Sequence, residues 1–345
     1  MAEVSARAQM IGIIGGSGFV GSWLARALLA AGHEVRLIDQ APSAAYPERL
    51  IRADVRDRAA LIEACRGCDT LYNLAAEHRD DVQPVARYYD VNVTGAEHTC
   101  EAAERHGIER LVFTSTVAVY GMVEREADET APLRPFNAYG HTKLAAERVF
   151  EAWAERAPTR SLTVVRPTVV FGPDNRGNVY TLLAQIARGR SLVLGDGRNR
   201  KSMAYVENVA DFLAHALRFG PGVHLYNYVD KPDMDMNELV TLAGQALGQG
   251  RAGPRHVPYP LALGAGLVLD LAARATGRRF PISAVRVRKY RATTQFAAER
   301  VAASGFVPRH PLRASLIATI RHEFGARPGG TPGADVLTPQ YDPAD

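Results

Sequence analysis

Seven residues, Gly15-Gly-Ser-Gly-Phe-Val-Gly21, separate the apolar run Met10-Ile-Gly-Ile-Ile14 from a helical pattern over Trp23 to Ala31. Gly15, Gly18 and Gly21 are spaced three apart. A strand that turns this tightly into a helix needs glycine for the turn, for close approach of backbone to backbone, and for packing of helix on strand. The new helix then presents its unpaired N–H groups at the carboxyl end of the strand, where an anion such as a pyrophosphate is stabilised. Three glycines alone carry little weight. Between a strand and a helix they commit the chain to a βαβ beginning.

The alternation continues. Glu34–Asp39 reads as a second strand, Arg49–Ala53 as a third, Arg58–Cys65 as a helix and Thr70–Ala76 as a fourth strand. Tyr88 opens a long helix to His106, Arg110–Ser115 is a fifth strand, and Leu162–Pro167 a further one. Strands alternating with helices imply an α/β fold, a doubly wound parallel sheet covered on both faces. Ligands of such sheets bind at the carboxyl ends of the strands, where Gly15, Asp39, Ala75, Thr116 and Pro167 all fall. Asp39 lies near the offset expected for an acid on the adenosine ribose, and it favours NAD over NADP because a 2′-phosphate would be repelled. Asp54 and Val55, after the third strand, fit contacts to adenine. Asn92 either satisfies backbone at its helix N-terminus or hydrogen-bonds near the nicotinamide.

Tyr139-Gly-His-Thr-Lys143 opens the helix that precedes the last of these strands. Residues i and i+4 share a helix face, so a lysine ammonium can sit beside the phenol, lower its pKa and orient a cofactor ribose. Such a tyrosine can exchange a proton with a substrate hydroxyl as hydride leaves the attached carbon. Tyr-x-x-x-Lys is common by chance and gains meaning from Thr114-Ser-Thr-Val-Ala-Val-Tyr-Gly121 before it. Composition narrows the rest. At 345 residues and a net charge of +4, no nucleic-acid partner is expected. No signal-peptide core or membrane-spanning run is present, and three cysteines suit a reducing cytoplasm. Cys65-Arg-Gly-Cys68 has no second pair to complete a metal site and reads as a turn; no metal is expected.

Taken together, GGSGFVG, Asp39, Asp54-Val55, NLAA, Asn92-Val93, TSTVAVYG, YGHTK, RPTVVFGP and Tyr205-Val-Glu-Asn-Val209 resemble the extended short-chain dehydrogenase/reductases, in their nucleotide-sugar epimerase and dehydratase branch. The resemblance runs from about residue 10 to 325 and implies a Rossmann-type domain over 1–172, a mainly substrate-binding portion over 173–325 with some return of chain to the first, and a disordered tail over 326–345. It implies Thr116, Tyr139 and Lys143 as the catalytic set. The NAD site it implies comprises Gly15, Ser17, Gly18, Phe19, Val20, Asp39, Asp54, Val55, Leu74, Ala75, Ala76, Asn92, Thr114, Tyr139, Lys143 and Pro167. On the substrate side it implies His78, Thr116, Asn178, Val179, Lys201 and Arg288. Lys201 replaces the family's usual arginine and offers a point charge in place of a fork, and Glu207 replaces a usual aspartate. His78, Arg79 and Asp80 either line the diphosphates or form a solvated loop. Val117-Ala118 stand where dehydratases carry an Asp-Glu pair, so dehydration lacks its acid and base.

A narrower likeness, in NLAAEHRDDV, NRGNVYTLL, KSMAYVENV, YNYVDKP and VRVRKYRATTQF, is to bacterial epimerases acting on N-acetylglucosaminyl-diphospho-undecaprenol. It implies NAD-dependent C4 epimerisation of a diphosphate-linked N-acetylhexosamine for surface-polysaccharide assembly, by a homodimer. Alternatives are the same chemistry on a soluble UDP-sugar, a keto-sugar or 3β-hydroxysteroid-type oxidoreductase, or a regulatory module without turnover. Residues 251–309 hold eleven basic residues against Asp270 and Glu299, around the apolar run Pro260–Leu269. Either this is a core helix beside an arginine-lined diphosphate pocket, or it is a surface that meets the inner face of the cytoplasmic membrane. Asp270 and Arg274 are spaced to pair on it.

Overall fold

The protein, a computed structural model, is described at residues 8–79, 82–189, 192–248, 254–276, 284, 287 and 293–325. The predicted tail 326–345, Asp80, Arg288 and most arginines of the basic segment lie outside these residues.

Seven strands form one wholly parallel sheet: β1 (Met10–Ile14), β2 (Glu34–Asp39), β3 (Leu50–Arg52), β4 (Thr70–Asn73), β5 (Arg110–Thr114), β6 (Ser161–Pro167) and β10 (Gly222–Tyr228), in the order β10-β6-β5-β4-β1-β2-β3. Side chains alternate between the two faces of a strand. Ile13, Leu37, Tyr72, Val112 and Val165 therefore enter one core, with α1 (Phe19–Ala30) and α7 (Val206–His215). Their neighbours Ile14, Ile38, Leu71, Phe113 and Val164 enter the other, with α2 (Arg58–Ala64), α4 (Gly95–His106) and α5 (Ala138–Glu155). Burial on both faces is why these strands read as continuous apolar runs.

The chain crosses from β3 back to β4, on the far side of β1. That reversal opens a crevice at the carboxyl ends of β1 and β4, the place such sheets bind ligands.

Several boundaries differ from the sequence-based expectation. Helix α1 starts at Phe19, four residues before Trp23, because Gly18 is extended (ψ 172°) and the chain turns helical directly after it. The long helix begins earlier, as α3 (Ala86–Tyr89), and runs through a π-helical turn, Asp90–Thr94, into α4.

A second core lies outside the sheet. It joins β7 (Val169–Phe171), β9 (Arg200–Tyr205) and β11 (Asp230–Asp235) to α6 (Asn178–Ala187), α8 (Met236–Ala246) and α11 (Leu312–Phe324). The short strands β8 (Leu192–Leu194) and β12 (Arg255–Val257) pair beside it, and α10 (Glu299–Ala303) packs on β10. The apolar run of 260–269 lies on α9, Tyr259–Thr276. Leu261, Leu267, Val268 and Leu271 on it are 51–69% exposed, so most of that stripe is not core. The Asp270 carboxylate accepts the Ala284 N–H at 3.0 Å, and the side chain of Arg274, its expected partner, lies outside the described set.

Candidate active site

Gly15 has φ +80°, and a Cβ there would stand 2.5 Å from the Ala75 nitrogen. Only glycine lets the β1–α1 turn touch the backbone after β4 so closely. Gly21 meets the Gly15 oxygen and Gly16 in the same manner. Helix α1 has neither a side-chain cap nor an acid in its first turn, so its N-terminal N–H groups and positive dipole end suit a bound anion. Phe19 and Val20 turn their side chains into the second core, which leaves backbone as what they can offer a ligand.

Asp39, at the end of β2, accepts the N–H of Ser17 on Oδ2 at 3.0 Å and that of Ala41 on Oδ1 at 2.9 Å. It thereby fixes the glycine turn to the strand end where an adenosine ribose would lie. Asp54 pairs in two-pronged fashion with Arg56, which holds its carboxyl below the usual range. Val55 is buried against Gly95.

Asn92 departs from the expected nicotinamide contact. Its oxygen accepts the Glu77 N–H at 2.8 Å; its amide donates to Glu77 O at 3.1 Å and Thr142 Oγ1 at 2.9 Å. With both donors and the acceptor engaged, it ties the π-turn to α5 and to the segment after Leu74, Ala75 and Ala76. The backbone it satisfies is that of Glu77, beyond β4, and not its own helix N-terminus, so it matches neither reading of the sequence.

Thr116, Tyr139 and Lys143 come together from two elements. Thr116 follows two residues after β5 and caps the 3-10 turn Val117–Tyr120, its Oγ accepting the Ala118 N–H at 3.1 Å. Asn137 caps α5 by accepting the Gly140 N–H at 2.9 Å, which starts the helix one residue before Tyr139. Burial pushes the Tyr139 phenol up to about 12. The Thr116 hydroxyl lies on the Tyr139 side of this turn and works to lower the phenol's pKa.

Lys143 is 2% exposed, with its ammonium 4.1 Å from the centre of the Phe113 ring. Burial pushes it down to about 7, opposed by the Glu147 carboxylate one turn on. The expectation that Lys143 acidifies the phenol is therefore not met by the protein alone: loss of hydration dominates both groups. A buried amine beside the phenol, the hydroxyl of Thr114 with no protein partner, and the bare start of α1 are all positions a dinucleotide's ribose, ring and phosphates would satisfy.

The substrate-side residues are more dispersed. Asn178 and Val179 open α6, again without a side-chain cap; Asn178 is exposed and Val179 buried in the second core. Lys201 lies on β9, and burial lowers its pKa to about 8. His78 is exposed beyond β4, and Pro167 closes β6. Reading the sequence missed the buried pair Arg166–Glu147 behind Tyr139 and Lys143. Its signals were an arginine in the otherwise apolar strand LTVVRP and an acid at i+4 from Lys143. It also missed Asp174, His322 and Glu323, whose ligand atoms lie within 4.8 Å of one another, although Glu323 is already paired with Arg176 at 2.7 Å.

A model of the NAD dependent epimerase/dehydratase family matches residues 11–228. The chain is 47% identical over 314 residues to N-acetyl-alpha-D-glucosaminyl-diphospho-ditrans,octacis-undecaprenol 4-epimerase of Escherichia coli O157:H7, covering 90% of this chain and 94% of that one. It is 32% identical to a 3 beta-hydroxysteroid dehydrogenase/Delta 5-->4-isomerase of Mycobacterium tuberculosis, over 69% of each. Among solved structures, MoeE5 in complex with UDP-glucuronic acid and NAD superposes with a TM-score of 0.71 at 25% identity, over 90% of this chain and 98% of that one. UDP-glucose 4-epimerase from Thermotoga maritima, at 21% identity and a TM-score of 0.72 over 91% and 98%, shares the fold. With the glycine turn, the end of β2 and the Tyr139–Lys143 helix face set around one crevice, and with the family match spanning the whole parallel sheet, this chain belongs to the NAD-dependent epimerase/dehydratase family.

Proposed function

We propose that the protein epimerises C4 of an N-acetylhexosamine held on a diphosphate, with undecaprenol as carrier, interconverting GlcNAc and GalNAc. The observation that carries this reading is the Thr116–Tyr139–Lys143 constellation beside Val117-Ala118, in a chain 47% identical to an epimerase of that name. NAD, when bound, would supply a hydride acceptor for C4 and a positive charge to the site. Tyr139 takes the proton of the 4-hydroxyl and later returns it, and Thr116 holds the oxygen through which it passes. Ionising a phenol pushed up to about 12 needs cations nearby, and the Lys143 ammonium is one. Inversion at C4 would require the 4-keto sugar to turn about its diphosphate linkage, so that its opposite face meets the hydride donor. Val117 and Ala118 can move no proton, so C6 keeps its hydroxyl.

In the cofactor site, Gly15, Ser17, Gly18 and the backbone of Phe19 and Val20 receive the pyrophosphate, and Asp39 the adenosine ribose. Asp54 and Val55 border the adenine; Ala75, Ala76, Thr114 and Pro167 border the nicotinamide half. Asn178, the Val179 N–H and Lys201 take the substrate diphosphate. The exposed apolar stripe of α9, with arginines following it in sequence, rests on anionic lipid and brings the sugar to the crevice. No helix among the described residues is long and apolar enough to cross a membrane, which fits contact at the interface. Pairing of two copies completes the reading.

The test is to incubate purified protein with lipid-linked GlcNAc and with UDP-GlcNAc separately and to identify the hexosamine after acid hydrolysis of each product. GalNAc from the lipid-linked substrate alone supports the proposal. Turnover confined to UDP-GlcNAc would move the carrier to a soluble nucleotide.

A further inference from the structure

Directly behind the Tyr139–Lys143 face lies a buried ion pair that the chemistry above leaves without a role. The side chains of Glu147 and Arg166 are 1% and 2% exposed. Arg166 donates from Nε to Glu147 Oε1 at 2.9 Å and from Nη2 to Oε2 at 2.6 Å. Its Nη1 donates to the Tyr120 hydroxyl at 2.8 Å, which in turn donates to Asn227 Oδ1 at 2.8 Å. The Ser115 hydroxyl also donates to Glu147 Oε1. One carboxylate thus joins α5, the end of β5 and β6. Ser115 is the neighbour of Thr116, and Lys143 is one turn from Glu147 along α5.

Stability does not explain such a pair. Each buried ion loses its hydration, and apolar replacements of similar volume are often as stable or more so. The surroundings of Lys143 suggest what the charge is for. From its own helix come Tyr139, Glu147 and the half-buried Glu151. From β5 and just beyond it come Phe113 and Ser115–Thr116, and from β6 and the 3-10 turn come Arg166 and Tyr120. Of the elements packed on α5, the π-turn carries Asn92 and the exposed Asp90, whose charge acts on Arg56, and α4 carries Cys100 and Glu104, the latter paired with Arg156 and Arg160. Among the described residues, Glu147 is the acid whose charge acts on Lys143, and it opposes the loss of the proton that burial favours.

We propose that Glu147 is a positioning residue: it holds Lys143 as an ammonium for the cofactor ribose and pins the Ser115–Thr116 strand end against the helix that carries Tyr139. Arg166 fixes the carboxylate in two-pronged geometry so that it serves both. The proposal rests on the NAD-dependent reading of the site but on no particular sugar.

The chain has four lysines, Lys143, Lys201, Lys231 and Lys289. Cofactor-free protein labelled with 13C-lysine therefore gives few enough signals to follow Lys143 by NMR titration, with Lys143→Arg for assignment. Alongside, NAD affinity is measured from pH 5.5 to 9 without substrate. In Glu147→Gln the Lys143 midpoint should fall by about one pH unit or more, and NAD affinity at pH 8 by up to about tenfold. Glu147→Asp should restore much of both. Should Glu147→Gln fail to fold, Glu147→Leu/Arg166→Met replaces both charges with apolar groups, and its Lys143 midpoint should still lie below wild type. A folded variant with wild-type midpoint and wild-type NAD affinity overturns the proposal, even if its melting temperature has moved. Neither readout involves a sugar, so a wrong substrate assignment would leave this result standing.

Discussion

Tyr139 and Lys143 are each pulled by burial toward their uncharged forms, the phenol up to about 12 and the amine down to about 7. For Tyr139→Phe, loss of the proton acceptor should cost on the order of 10²–10⁴-fold in turnover, with NAD still binding; near-normal activity in the folded variant would refute the role. Lys143 also predicts a pH dependence of stability. An unfolded lysine keeps its proton to about 10.4, whereas the folded one releases it near 7. Between those values the unfolded state binds more protons, so this residue's contribution to unfolding free energy rises with pH, and below 7 its full cost is borne. Wild type should therefore gain stability relative to Lys143→Met between pH 7 and 10 in cofactor-free melts. A constant difference across that range would show that Lys143 is not desolvated in solution.

At the scale of elements, the β1–α1 turn and the end of β2 work as a unit because Asp39 accepts N–H groups from Ser17 and Ala41. Each carboxylate oxygen keeps a further lone pair for a ribose hydroxyl, and the charge repels a 2′-phosphate. NADP should bind at least about tenfold more weakly than NAD, a difference of roughly 1.4 kcal/mol; equal dissociation constants in titration would remove Asp39 from the role. This turn was legible because its demands are local. A positive φ at Gly15 and the contact of Gly21 with Gly15 can be met only by glycine, so the requirement is written at the position itself. Asn92 was ambiguous for the opposite reason. Whether its amide faces backbone or cofactor depends on Glu77 and Thr142, 15 and 50 residues away.

Across the whole molecule, charge is segregated. Residues 251–309 hold eleven basic side chains against two acids in a chain whose net charge is only +4. With Leu261, Val268 and Leu271 exposed on α9 beside that segment, the protein should float with anionic vesicles and release as salt is raised. Leu261→Ser/Val268→Ser/Leu271→Ser should lose vesicle binding with little change in melting temperature, since these side chains are more than two-thirds exposed. Leu263, on the same helix, is half-buried and does not belong in that set. Unfolding of the triple variant, or indifference of wild type to vesicles, would return α9 to a structural role.

Short-range sterics and periodicity record the glycine turn, the order of strands and helices, the acid ending β2, and the i, i+4 placement of Tyr139 and Lys143. Tertiary structure alone decided which charges lose their water. Glu147 and Arg166 are 19 residues apart, on a helix and a strand that meet only after the sheet is assembled, and Asn227 arrives on β10 from 107 residues beyond Tyr120. The depressed Lys143 and the elevated Tyr139 follow from that enclosure. Hydration is lost through contacts distant in sequence, so no local pattern carries it.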